Sequence, residues 1–247
     1  MTKDAHPRPS ATILLVREAP FEVLMVSRHS DQDFSSALVF PGGIVDASDS
    51  SDDWMPHIIG AERYSTTERA LRIAAFRETF EECGLLLARR RDGAPITITA
   101  ERQTDFLTLI AQNDAVLTLD DLVPFAHWIT PVQSPRRYDT HFFLAVAPTG
   151  QTACCDGTEA VAVEWISPAE LVAEAEAGTG VRKVVFPTRM NLGLLARSNN
   201  VTDALAAARA RPPFTVLPHI EKTDDGIVVR IPAEAGYGVT EERRTTR

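Results

Sequence analysis

The 247-residue chain has 44% hydrophobic and 24% charged residues, the balance of an ordinary globular protein long enough for one domain plus an extension. Its formal net charge of −9 argues against nucleic acid as the main partner, because phosphate backbones are held by clustered Lys and Arg. No run reaches the roughly 20 apolar residues of a membrane span, neither end reads as a leader or an anchor, and three cysteines (Cys83, Cys154, Cys155) make a poor disulfide framework, so no membrane contact and a cytoplasmic compartment are expected.

Two β-branched-rich runs, "ATILLVRE" and "FEVLMVSR", flank an Ala-Pro step and read as a hairpin of core strands. "SALVFPGG" reads as a third strand ending in a Gly turn, and residues 46 to 65 as a long loop with one short helical turn. A helix capped by Thr66 or Thr67 is expected to run to about Cys83, with Gly84 as its stop. Residues 101 to 113 form a second amphipathic candidate. "FAHWITPV" and "YDTHFFLAVAP" read as strands, and "AVAVEWISPAELVAEAEAG" as strand, turn and helix, with Ser167 as cap and Pro168 in the first helical position. Residues 187 to 210 suggest two helices broken at "SNN", and residues 212 to 247 an extension with one strand at "GIVVRI". This order of elements implies an α/β sandwich around one sheet.

The chemistry lies in "AAFRETFEECGLLL", Ala74 to Leu87. At about 100° per residue, Ile73, Phe76, Phe80 and Cys83 share one helical face and Glu78, Glu81 and Glu82 cluster opposite. An acidic face is most often merely solvated. This one sits near the helix C-terminus, where the macrodipole disfavours negative charge, and a hard divalent cation would turn its repulsion into coordination. Arg77 flanks the cluster and can hold one carboxylate in place. His57, His127 and His141 show no metal-ligand spacing and read as structural or surface residues.

"RETFEECGL", Arg77 to Leu85, resembles the second half of the Nudix box, with Thr79 in a slot that is usually apolar. Gly43 and Asp49 fit its first half, Asp replacing the usual Glu. The usual spacer of seven residues is here the 27 residues Ser50 to Phe76, so the box resembles one carrying an insertion at about residues 50–70. That interruption, with "RRYDTHFF", is similar to the branch that includes a peroxisomal coenzyme A diphosphatase.

The resemblance implies a Nudix-type α/β/α sandwich with a mixed sheet over residues 10–211, with the box at 43–85, and 212–247 as the extension. It implies Mg²⁺ or Mn²⁺ bound by Glu78, Glu81 and Glu82 with a backbone carbonyl at Gly43, Arg77 orienting a carboxylate, and catalytic roles for Glu78 and Glu81. Asp46 and Asp49 are expected to shape the loop or pair with Arg77. A further ligand or general base from outside the box is assigned to Glu159, with Glu164 second. Arg28 and Arg137 are candidates for substrate phosphates, since Arg suits bidentate phosphate contacts, or for pairs with Asp33 and Asp139.

The implied reaction is attack of water on a small-molecule diphosphate, with coenzyme A or an acyl-coenzyme A preferred over a nucleotide sugar or a dinucleotide. The competing reading is a Nudix-fold module that binds without hydrolysis. The resemblance also allows a homodimer.

Overall fold

Strand β1 (Arg8–Arg17) is the axis of the molecule, because its side chains are buried alternately on two faces: Ala11, Ile13 and Leu15 on one, Leu14 and Val16 on the other. The computed structural model describes residues 6–28, 37–94, 96, 104–157, 160–177 and 182–245. β2 (Glu22–Arg28) returns antiparallel to β1, as the hairpin reading expects. The third strand is two: β3 (Ala37–Val39) on β2, and β4 (Gly42–Ile44) on β1, separated at Phe40–Pro41. A proline nitrogen cannot donate to a ladder, so the strand changes partner there.

The expected loop at 46 to 65 is more ordered than its composition suggests. It contains 3₁₀ turns at Ala47–Ser50, Asp52–His57 and Ala61–Arg63, and the short β5 (Ile58–Ile59). Helix α1 (Thr66–Cys83) follows, capped by Ser65 rather than by Thr66 or Thr67. Ser65 and Glu68 form a reciprocal capping box, which satisfies two of the orphan amide groups at the helix start. The stop at Gly84 is as expected.

Then come β6 (Arg89–Arg90), α2 (Phe106–Gln112), β7 (Ala115–Thr118), β8 (Val123–Ile129), β9 (Tyr138–Val146), β10 (Ala160–Ile166) and α3 (Pro168–Ala177). After them lie β11 (Lys183–Val184), α4 (Phe186–Leu195), α5 (Val201–Ala210), β12 (Thr215–Val216), β13 (His219–Thr223), β14 (Gly226–Arg230) and β15 (Glu241–Thr245). The break between α4 and α5 falls at "SNN", where Asn200 caps α5. The chain after residue 211 carries four strands rather than one.

The main sheet has nine strands and mixed direction: β1 runs parallel to β9 and antiparallel to β2 and β4. Helices cover both faces. α1 and α2 pack with Ala11, Ile13 and Phe143, while α4, α5 and residues Val229, Ile231 and Tyr237 pack with Leu14, Met25 and Trp128. This is the α/β/α sandwich with a mixed sheet. Among the described residues, no helix is long and apolar enough to cross a membrane.

α1 departs from a simple two-faced helix. Its buried residues include Arg72, Arg77, Thr79 and Glu82 beside the expected Ile73, Phe76, Phe80 and Cys83. Each charged side chain has its own cover: Arg72 meets the Leu119 and Leu122 carbonyls, Arg77 meets Asp49 and the Ile44 carbonyl, and Glu82 meets the Gly42 N–H. Trp54 is 3% exposed and stacks on Phe106 of α2, which in turn stacks on Phe80 of α1. The insertion and α2 therefore extend the core over the apolar face of α1 at Phe80.

Candidate active site

The site forms where α1 passes β4. Gly42 sits at φ +154° and packs so tightly that a Cβ would lie 2.4 Å from the Ala11 carbonyl oxygen, so only glycine fits. Its N–H donates to Glu82 Oε2 at 2.9 Å, which fixes a carboxylate that is 2% exposed. At Gly43 a Cβ would lie 2.3 Å from the Glu78 carboxylate. The absence of side chains at this turn lets two glutamates from the helix meet its backbone.

Arg77 organises the rest. Its five N–H donors meet five acceptors: Nε and one Nη hold both Asp49 oxygens at 3.0 and 2.9 Å, and the others reach the Ile44 carbonyl, Glu78 and Glu81 at 2.9, 2.9 and 2.8 Å. Asp49, 1% exposed, also accepts from the Asp46 N–H at 2.8 Å. The 3₁₀ turn thus brings Asp49 under Arg77, and this aspartate closes the interrupted box from 28 positions away. Asp46 lies at 3.9 Å from the same guanidinium. The pairing expected for Asp46 and Asp49 with Arg77 is present in both, tightly in Asp49. Thr79 is fully buried and its hydroxyl donates to the Ala75 carbonyl at 2.8 Å, so a polar residue occupies that usually apolar slot without an unpaired group.

Electrostatics follow from this crowding. Burial pushes Glu78 up to about 7; Arg77 opposes that shift, and Glu82 and Glu81 add to it. Burial likewise raises Glu81 against Arg77, although its side chain is 41% exposed. Burial disfavours the charged Arg77, but Asp49, Glu78 and Glu81 outweigh it and keep the guanidinium protonated. Oxygen donors that resist ionisation until something positive arrives suit a hard divalent cation. Glu78, Glu82 and the turn at Gly43 could together face one, while Arg77 holds both Glu78 and Glu81 at 2.9 and 2.8 Å.

A cavity of 380 Å³ opens beside these groups, lined by Glu78, Gly43, Asp46, Ser10, Thr140 and Arg8 among others. Thr12, Gly42, Tyr138 and Thr140 also line a second chamber of 460 Å³, whose walls include Val39, Phe40, Trp128, Ile129 and Phe142. The two share a wall, so a polar chamber at the acids adjoins an apolar one. A larger cavity of 620 Å³ lies beside Arg89, Arg90 and α5; it has none of the box carboxylates in its lining.

The other sequence candidates scatter. Arg137 donates from Nε to the Thr130 carbonyl at 3.1 Å, and it lines a 200 Å³ pocket with Arg8 and Arg136. Arg8 also lines the polar chamber and went unnoticed in the sequence, because the strand reading began three residues after it. Arg28 ends β2, its Cα paired with Ala160. Glu159, like Asp33, lies outside the described residues. Glu164 pairs with Arg182 at 2.9 Å and serves the strand surface, as expected of a mid-strand acid. Asp139 contacts His127 and His141 instead of Arg137. Cys83 is fully buried core, as expected.

With Gly43 folded against Glu78 and Asp49 bound to Arg77, the two halves of the box are reunited in space. Residues 61–178 match a family model described as the NUDT19 Nudix domain. The chain belongs to the Nudix superfamily. This Nudix protein is 31% identical over 237 residues to the acyl-coenzyme A diphosphatase NUDT19 of Gallus gallus, covering 68% of this chain and 62% of that one. Identity to the acyl-coenzyme A diphosphatase NUDT19 of Homo sapiens is 30% over 203 residues, covering 61% and 54%. The chain thus spans about half to three fifths of the length of these relatives. A Nudix hydrolase from Alicyclobacillus acidocaldarius superposes with a TM-score of 0.69 at 25% identity, covering 81% of this chain and 96% of that one. The Nudix fold is therefore supported by both sequence and shape.

Proposed function

We propose that this Nudix protein is a divalent-cation-dependent diphosphatase whose best substrate is coenzyme A or an acyl-coenzyme A. The observation that carries the reading is the Arg77-centred carboxylate cluster, whose Glu78 lines a polar chamber that adjoins an apolar one. Glu78, Glu82 and the Gly43 turn are the groups to hold Mg²⁺ or Mn²⁺, with Glu81 joining as it leaves Arg77. Such an ion, when bound, lowers the pKa of a bound water and offsets phosphate charge.

The chain's own residues do the rest. Arg77 keeps Glu78 and Glu81 oriented while Asp49 anchors Arg77 from beneath. Glu78 and Glu81 are the candidates to accept a proton from the attacking water, since burial already raises the proton affinity of both. Arg8 beside the polar chamber, with Arg137 and Arg28 as further candidates, would meet substrate phosphates. The apolar chamber, walled by Phe40, Trp128 and Phe142, suits an uncharged arm of a bipartite substrate. Glu159 remains the proposed group from outside the box. The names of the two relatives point the same way.

The test is a panel of coenzyme A, acyl-coenzyme A esters, nucleotide sugars and dinucleoside polyphosphates with Mg²⁺ or Mn²⁺, products read by mass spectrometry. Cleavage at a diphosphate, strongest on the coenzyme A compounds, is expected, with kcat lowered at least about 10²-fold in Glu82→Gln, a loss of several kcal/mol of charge stabilisation. Preference for the dinucleotides or sugars would overturn the substrate, and an inert panel would leave a binding module.

A further inference from the structure

We infer that His127, Asp139 and His141 form a second cation site, suited to a d-block divalent ion such as Zn²⁺ or Co²⁺ and separate from the box carboxylates. Among the described residues, these three are the one group of His, Cys, Asp or Glu side chains whose ligand atoms all lie within 4.8 Å of one another.

Strand register assembles the site. His127 on β8 stands directly across from His141 on β9, and their rings stack at 4.1 Å with 22° between planes. Asp139, two residues before His141 and so on the same sheet face, hydrogen-bonds His127 Nε2 and lies 3.8 Å from His141 Nε2. Ligand atoms around a tetrahedral ion with bonds of about 2.1 Å lie roughly 3.4 Å apart, so small ring and carboxylate movements suffice. The two imidazoles are borderline donors that favour Zn²⁺ or Co²⁺ over Mg²⁺, and the carboxylate adds a hard oxygen that these ions also accept.

Two observations make the ligands competent. His127 Nδ1 is 2.8 Å from the Thr215 hydroxyl on β12, an outer partner that holds the ring with Nε2 turned toward Asp139. The side chains are 17, 33 and 36% exposed, so an ion can enter from solvent.

The site is distinct from the first by position. Gly43, Ala11, His141, His127 and Thr215 form one row across five strands. At about 4.8 Å per strand, His141 stands roughly 10 Å and His127 roughly 15 Å from the Gly43 turn, on the face that α1 covers. An ion there would clamp β8 to β9, whose Tyr138 and Thr140 line the cleft on either side of Asp139.

The experiment strips the full chain with a chelator, saturates it with Mg²⁺ and adds Co²⁺ while the visible d–d absorption is read. One equivalent of Co²⁺ should bind, unchanged in Glu82→Gln and at least about tenfold weaker in His141→Asn. In the unaltered protein, Zn²⁺ should shift the imidazole nitrogen resonances of His127 and His141, a readout that needs no variant to fold. Unmoved histidine resonances, or a Co²⁺ band lost in Glu82→Gln and kept in His141→Asn, would overturn the site.

Discussion

The two ends of α1 lie over the same sheet face and solve opposite electrostatic problems. Near its C-terminus, the helix and the loop before it crowd Asp49, Glu78, Glu81 and Glu82 together, and one guanidinium carries the compensation. Near its N-terminus, Arg72 is itself the buried ion, stacked between the Tyr64 and Phe143 rings and donating to the Leu119 and Leu122 carbonyls. There burial lowers the Arg72 pKa, and the neighbouring His141 stays neutral. A carboxylate-rich pocket waits for positive charge, whereas the arginine end already has its own, and beside it burial, then His127, lowers the His141 pKa. Ligand chemistry along one helix is thus set by which partner is buried first.

The largest test of that contrast is Arg77→Ala. Removing the guanidinium leaves Asp49 buried without its partner, and breaking such a pair costs roughly 3–5 kcal/mol. At about 2–4 °C per kcal/mol for a chain of this size, Tm should fall by roughly 6–20 °C in a thermal melt. A variant that melts with the unaltered protein would show that the carboxylate end does not depend on one cation.

Gly43→Ala probes geometry without touching charge. The new Cβ would sit 2.3 Å from Glu78, so the carboxylate must swing away from the turn. With ordering of the acids supplying part of cation binding, kcat/KM should drop on the order of 10–100-fold, as for lost outer support of a metal site. Tm should move much less than in Arg77→Ala. Full activity would mean that the turn and Glu78 need not meet.

The smallest effect is in pH. Glu78 has its pKa raised to about 7, so native metal-free protein holds a proton that the unfolded chain loses above the ordinary glutamate range. Its stability contribution is therefore full at acid pH and lost as pH climbs through 7. A cation displaces that proton, so Mg²⁺ affinity measured calorimetrically should rise roughly tenfold from pH 6 to pH 8. His141, at about 4, should show no titration by NMR across the same range. A flat Mg²⁺ affinity would erase the difference between the two ends.

Much of the carboxylate end was legible in the sequence. Arg77, Glu78, Glu81 and Glu82 lie within six consecutive residues of one helix, so a local spacing of 3.6 suffices to group them. Gly42 and Gly43 announce a turn by composition, and Gly84 announces the helix end. The strand hairpin of β1 and β2 and the break at "SNN" are local signals too. Asp49 was visible as a candidate partner of Arg77, although an Asp in place of Glu gives no hint that it would be 1% exposed.

What tertiary structure decided are the contacts between segments whose register no local pattern encodes. The inserted residues carry polar, loop-like composition, yet Trp54 turns inward to meet Phe106 of α2, which in turn meets Phe80 of α1, a contact that no local pattern announces. Arg8 reaches the cleft only because β1 runs parallel to β9 from its first residue. His127, Asp139 and His141 have no metal spacing along the chain; the pairing of β8 with β9 brings them together, and β12 adds Thr215. Helical spacing is written in one segment, but sheet register is a property of several, and so the glutamates could be read before the fold and the histidines only after it.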